Sequence, residues 1–315
     1  MKGLELSELY YREHGAPMIE EHFPHLAGRI AVGLSGEGSE CLGYDDDVSA
    51  DHDFEPSFCM WLTDDDYSEY ALPLTRAYNS LPRTFMGYAR TNTTPTGGAR
   101  RGALSIGDHY RRFLGSPSYP VSSAHWLAIP EHALAAAVSG RVFRDDLGEF
   151  SKIRAVLSAG YPEDVRLKKL ASCLIVAHQA GAYNYPRCLA HGENGAAQLA
   201  VFAFVKNAIA CVYLLNNKYM PFYKWVYRGM RDLAVLPDLG EPLARLAETG
   251  NTPDDAAAKQ ETIAEICRSI LSALHSEGLI KSAPLSLEQA AYDINGKIKD
   301  PSLRNESIFA GMIRE

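Results

Sequence analysis

Apolar and polar positions follow two different rhythms along the chain. Up to about residue 148, short apolar runs alternate with helical stretches. Residues 5–24 place apolar side chains at the 3.6-residue spacing of an amphipathic helix, and residues 29–34 (RIAVGL) then read as a short buried strand. Residues 58–62 (FCMWL) predict a second strand, 65–80 a helix, 83–88 a third strand and 101–106 a fourth. Residues 91–98 (TNTTPTGG) carry the strongest loop composition in the chain. From residue 149 onward only helical periodicity remains, over 149–159, 163–182, 196–217 and 254–277, punctuated by Gly, Pro and Asn. Residues 199–215 are apolar nearly all round, as the central helix of a bundle must be. The pattern predicts an α+β chain. A domain over 1–148, with a mixed sheet and flanking helices, precedes an all-α helical bundle over 149–315.

Composition narrows the function. The chain has 315 residues, enough for two domains, and its 46% apolar and 22% charged content is that of an ordinary folded protein. A net charge of −8 repels phosphate polyanions on average, which argues against general binding of duplex nucleic acid. It leaves room for a small phosphate ligand held by a local cluster and a cation. The longest apolar stretch, 196–215, is broken by Gln198, Lys206 and Asn207, so no membrane span is expected. The early acidic residue in Met1-Lys2-Gly3-Leu4-Glu5 is unlike a secretory leader. The six cysteines are scattered, with no Cys-x-x-Cys pair, and predict reduced thiols in the cytoplasm rather than a zinc site or disulfide framework.

One stretch carries candidate chemistry. The strand at 29–34 runs into Ser35-Gly36-Glu37-Gly38-Ser39, and Asp51-His52-Asp53 follows. Glycines let the backbone turn sharply and approach a ligand with no Cβ in the way. A Gly-Ser pair at such a turn offers amides and a hydroxyl to phosphate oxygens. Carboxylates at i and i+2 of a strand share a face and can meet one cation, and Mg²⁺ prefers one or two carboxylates together with waters and substrate phosphates. The plainer alternative is a solvated acidic loop continuing Asp45, Asp46 and Asp47.

Gly36-Glu37-Gly38-Ser39, eleven further residues and then Asp51-His52-Asp53 resembles the signature of the polymerase-β-type nucleotidyltransferases, the kanamycin and streptomycin nucleotidyltransferases among them. The fuller string over residues 33–56 is similar to a large, mostly bacterial family of unknown function assigned to that fold. Tyr183-Asn184-Tyr185-Pro186-Arg187, His191-Gly192-Glu193 and the run Tyr219 to Trp225 look like further markers of it. The resemblance implies Asp51 and Asp53 as ligands of Mg²⁺ or Mn²⁺. It also implies Gly36, Gly38 and Ser39 at the phosphates of a nucleoside triphosphate, with ATP the expected nucleotide. The implied reaction transfers a nucleoside monophosphate to a hydroxyl of an unidentified acceptor, expected to be a small molecule. No oligomeric state is implied. Such transferases usually carry a third carboxylate on a later strand, yet residues 102–106 contain no acid, which leaves Glu55, Asp108, Asp145 and Glu193 as candidates.

Other residues divide between chemistry and structure. Lys224 is a candidate triphosphate contact between Tyr223 and Trp225, or a snorkelling surface lysine; Lys218 has a weaker case. Arg187 is a candidate phosphate clamp or an ion pair at a helix end. Glu193 is a candidate base for the acceptor hydroxyl, or a helix-start acid. Arg100, Arg101, Arg111 and Arg112 read as a solvated face or a nucleic-acid contact. His52 reads as a structural histidine. Two other functions stay open: a non-catalytic nucleotide-binding or interaction protein, and a metal phosphohydrolase using His52 and Asp53.

Overall fold

The strand runs Ala31–Leu34 and Cys59–Leu62 are buried on both faces, and that dictates a layered arrangement around them. The computed structural model describes residues 1–46, 48, 54–90, 100–281 and 286–314. Its contacts divide the chain into two units, Met1–Pro120 with Ala133–Ala159, and Val121–His132 with Gly160–Glu315. The fold is α+β, as the alternating and then purely helical periodicity predicts.

The first unit opens with α1 (Gly3–Tyr10), a π-helical turn (Tyr11–Gly15) and α2 (Ala16–His22), the helix expected over 5–24. Then come β1 (Ala31–Leu34), α3 (Ser39–Leu42), β2 (Cys59–Leu62), α4 (Asp64–Ser80), β3 (Thr84–Phe85), β4 (Tyr88–Ala89), β5 (Gly102–Ser105) and α5 (Ile106–Leu114). After α6 (Ser123–Ala128) in the second unit, the chain returns through α7 (Glu131–Val138), whose first two residues count with that second unit. It then forms β6 (Arg141–Arg144) and α8 (Glu149–Ser158).

The sheet order is β5-β2-β1-β6. β1 lies antiparallel to β2, with Val32 opposite Met60, and antiparallel to β6, with a bulge between Val32 and Gly33. β2 and β5 are parallel, with Trp61 opposite Leu104, and α4 lies in the connection that such a pair requires. One face packs Val32, Met60 and Leu62 against Leu6, Tyr10, Ile19 and Leu74 from α1, α2 and α4. On the other, Trp61 stacks on Phe150 of α8 at 4.0 Å, and the Tyr110 hydroxyl donates to the Phe150 carbonyl at 3.1 Å. That packing is why α8 belongs to the first unit. The units therefore divide at 159/160 rather than near 148, with 121–132 reassigned to the second.

Residues 83–88 were expected as one strand and instead begin a hairpin. Met86 and Gly87 have φ of 50° and 86°, the pair of left-handed residues that closes a two-residue turn. The loop-like residues 91–98 lie outside the described residues.

Gly140 packs against the C-terminal end of β1. Its φ is 72°, its amide donates to the Cys41 carbonyl at 2.7 Å, and a Cβ there would sit 1.9 Å from the Leu34 carbonyl oxygen. Gly140→Ala is expected to destabilise the first unit by at least about 1–2 kcal/mol from the left-handed backbone alone, with the clash adding to it. Urea denaturation checks this. Unchanged stability would contradict the close approach.

The second unit is helical throughout. α9 (Glu163–Ala177) continues through a π-helical segment (His178–Asn184) into α10 (Tyr185–Ala190), so the helix expected to stop at 182 runs on to 190. α11 (Asn194–Leu215) is followed by α12 (Val226–Met230), α13 (Gly240–Glu248), α14 (Pro253–Ser276), α15 (Leu287–Asn295) and α16 (Pro301–Asn305). By length and composition α11 could cross a membrane, but 67% of its most apolar window is buried inside the unit. Three lysines are buried as well. Lys169 pairs with Glu131 at 2.6 Å, Lys168 donates to Asn295 Oδ1 and the Glu306 carbonyl, and Lys259 donates to Gln198 Oε1 and Asn251 Oδ1.

Candidate functional site

The glycine turn after β1 forms one wall of a cavity of about 210 Å³ in the first unit. Gly36 is buried with φ 146°, a conformation that favours glycine. Its amide donates to Ser139 Oγ at 3.2 Å, and that hydroxyl donates back to the Gly36 carbonyl at 2.5 Å. Gly38 is held open by its neighbour, since a Cβ would meet the Glu40 carboxylate at 2.2 Å. Glu40 is buried and accepts from Arg101 at 2.8 Å. The register of β5 against β2 brings Arg100 and Arg101, just before β5, to the end of the sheet where β1 turns.

The opposite wall is α5. Ser105 caps it by accepting from the Asp108 amide at 3.1 Å and donates its own proton to Asp64. One turn on come His109 and then Arg112, which pairs with Glu37 across the cavity mouth at 2.7 Å. The Arg101 reading as part of a solvated face is thereby corrected: its side chain is only 12% exposed, because a buried carboxylate partner compensates its desolvation. Arg111 faces outward and pairs with Asp108 on the same helix.

Two buried polar atoms in this lining have no hydrogen-bond partner among the described residues, Ser35 Oγ and His109 Nε2. The histidine's tautomer follows from its other nitrogen. Trp61 Nε1–H donates to His109 Nδ1 at 3.2 Å, so neutral His109 carries its proton on Nε2. Burial lowers its pKa to about 3, with Arg112, Arg154 and Arg101 adding repulsion. A neutral N–H donor and a hydroxyl thus lie buried and unsatisfied in residues of the cavity wall, shielded from solvent, an arrangement that ordinarily costs free energy.

A pH dependence follows. The unfolded chain protonates His109 near pH 6.5 and the folded chain only near pH 3, so the unfolded state binds the extra proton between those values. Stability is expected to fall as pH drops through that window, at up to about 1.4 kcal/mol per pH unit from this group. His109→Gln should flatten that slope in denaturation measured from pH 7 to 4. An unchanged slope would mean that His109 is not the group responsible.

The other expected site residues fall as follows. Asp51, His52 and Asp53 lie outside the described residues. Ser39 begins α3, next to the cavity-lining Gly38. Among the candidate third acids, Asp108 lines the cavity. Asp145 accepts from the Gly148 and Ser151 amides at the start of α8, a structural role, and Glu55 is half-buried outside the lining. Glu193, Arg187 and Lys224 are all exposed in the second unit. Glu193 precedes α11 without capping it through its side chain. Arg187 lies over Tyr183 at 5.1 Å, and Lys224 over Trp225 at 5.2 Å. His109 and Ser35, which sequence reasoning did not single out, complete the cavity. Ser105, Asp108, His109 and Arg112 recur at three- and four-residue steps along one helix face, a signal already present in the sequence.

Among the described residues no group of three or more His, Cys, Asp or Glu side chains is placed to hold a metal. Cavity acids and bases balance, with Glu37, Glu40 and Asp108 against Arg100, Arg101 and Arg112.

Residues 126–226 match a family described as a domain of unknown function (DUF4037). The matched span contains Tyr183, Arg187, His191, Glu193 and the run from Tyr219 to Trp225. No curated protein matches the chain.

Proposed function

We propose that the protein is a Mg²⁺-dependent nucleotidyltransferase that moves a nucleoside monophosphate from a nucleoside triphosphate, ATP first among the candidates, to a hydroxyl of a small acceptor. The observation that carries this reading is the cavity walled by the glycine turn and lined by Arg100, Arg101 and Arg112. Donors fixed before the ligand arrives are what phosphoryl chemistry asks of a protein, because its catalysis is mostly positioning and electrostatics. The sequence pattern at residues 36–39, 51 and 53 points the same way.

In this reading residues 36–39 position the β and γ phosphates, with Arg112 donating to their oxygens. Asp51 and Asp53 are the carboxylates that would hold Mg²⁺, with Asp108 of the cavity lining as a candidate third, and the ion would supply charge neutralisation at the phosphates. The acceptor oxygen attacks the α-phosphorus in line, its bond to phosphorus forms as the bond to the bridging oxygen breaks, and pyrophosphate leaves. The hydroxyl proton passes to a carboxylate acting as base.

A second reading, nucleotide binding without transfer, is supported by β5, whose residues include no acid. Incubation with an α-labelled triphosphate, Mg²⁺ and a metabolite extract separates the two. Transfer predicts labelled acceptor with an equal amount of pyrophosphate. Binding of the nucleotide with no pyrophosphate from any acceptor would sink the transferase and leave the binding protein. Orthophosphate release without label transfer would indicate a hydrolase.

A further inference from the structure

Two ion pairs belong to the lining of the first unit's cavity, and they differ in what it costs to break them. Arg101 and Glu40 form the inner one, and the Glu40 side chain is only 5% exposed. Drawing Arg101 away would strand a buried carboxylate, which is costly. Arg112 and Glu37 form the outer one, Nη2 to Oε2 at 2.7 Å across the mouth, with the Glu37 side chain 51% exposed. Drawing Arg112 away leaves Glu37 in water, and an exposed pair of this kind contributes little. Of these two arginines, Arg112 is the one that can change partner cheaply.

The surroundings suit such an exchange. Gly36 is tied to Ser139 through both its amide and its carbonyl, so the turn keeps its place and only the Glu37 side chain has to swing away. The Arg112 guanidinium lies 5.4 Å from the centre of the Phe113 ring, a contact that keeps it at the mouth once the carboxylate has left. Its planar fork of donors fits a phosphate as well as a carboxylate. We propose that Glu37 is a displaceable latch: it holds Arg112 until an entering phosphate group takes its place, and so sets how tightly the cavity binds polyphosphate. The latch rests on the phosphate-binding reading of this cavity and adds to it a residue that weakens binding by competing for the same arginine.

Calorimetric titration of inorganic tripolyphosphate with Mg²⁺ into the parent chain, Glu37→Gln, Arg112→Gln and the double variant tests the latch. Glu37→Gln should tighten binding about two- to fivefold, the scale of an exposed ion pair. Arg112→Gln should weaken it about tenfold, the scale of one charge-assisted contact. In the Arg112→Gln background, Glu37→Gln should bring no further gain, because no arginine is left to release. Both side chains are partly exposed, so melting temperatures should match the parent's and exclude loosened protein. An equal gain in both backgrounds would mean that Glu37 merely repels phosphate, and would overturn the latch. Weaker binding by Glu37→Gln would overturn it in favour of a carboxylate that orients Arg112. Either of those results leaves the cavity a polyphosphate site. No binding by any of these chains would overturn the phosphate reading of the cavity and the latch together.

Discussion

Lys169→Met is expected to destabilise the helical unit by about 3–5 kcal/mol, the usual consequence of stranding one member of a buried ion pair. Lys169 is 1% exposed and its partner Glu131 7%, with 2.6 Å between Nζ and Oε1. Methionine fills the space of the lysine stem but returns no charge, so the Glu131 carboxylate keeps only the Arg314 amide as partner. Lys169→Met/Glu131→Leu should recover most of the loss, because a buried pair replaced by apolar groups of similar volume is nearly neutral. The exposed pair Arg268–Glu261 supplies the contrast, and its removal should produce no resolvable change. Denaturation midpoints of the three variants decide the matter. A single variant within 1 kcal/mol of the parent would mean that water reaches Glu131 in solution.

Asp51→Asn/Asp53→Asn is expected to lower transfer by about 100–1000-fold or more, the scale reached when one preorganised electrostatic group is lost from a phosphoryl or acyl transfer site. The asparagines keep the shape of the side chains and remove two negative charges. Melting temperature should therefore hold or rise, since two neighbouring carboxylates repel in the absence of a cation. Single-turnover pyrophosphate release measures the effect. Loss of activity with an unchanged melt separates a role at the metal from a role in folding. Transfer within a few-fold of the parent would remove these residues from the proposed site.

Legibility of the fold depended on how far each element is specified by its own residues. β1 and β2 are unbroken apolar runs because both faces are covered, and α4 and α11 announce themselves by length and period. β6 (RVFR) was not expected. It is an edge strand, partly exposed, and its terminal arginines hide the pattern. The 83–88 strand became a hairpin because Met86 adopts a left-handed conformation that its residue type does not advertise. Lys168, Lys169 and Lys259 carry charge and so read as surface, whereas their partners Glu131, Asn295 and Gln198 come from segments remote in sequence.

The candidate site divides along the same line. Gly36 and Gly38 were legible because a glycine turn after an apolar strand is a local signal, and the structure explains each, Gly36 by its positive φ and Gly38 by the Glu40 carboxylate beside it. Arg101 was read with Arg100 as a solvated pair, because nothing near it in sequence shows that Glu40 would be buried alongside. His109 was passed over for the same reason. Its tautomer and its orphaned Nε2 depend on Trp61, which lies on another element and makes no local motif with it.

The most direct test is calorimetric titration of the four nucleoside triphosphates, with and without Mg²⁺, into the parent chain and into Asp51→Asn/Asp53→Asn. The proposed site predicts that one nucleotide binds only when Mg²⁺ is present and that the double variant loses this binding while remaining folded. Binding that is indifferent to Mg²⁺ or to both aspartates, or no binding of any nucleotide, would contradict it.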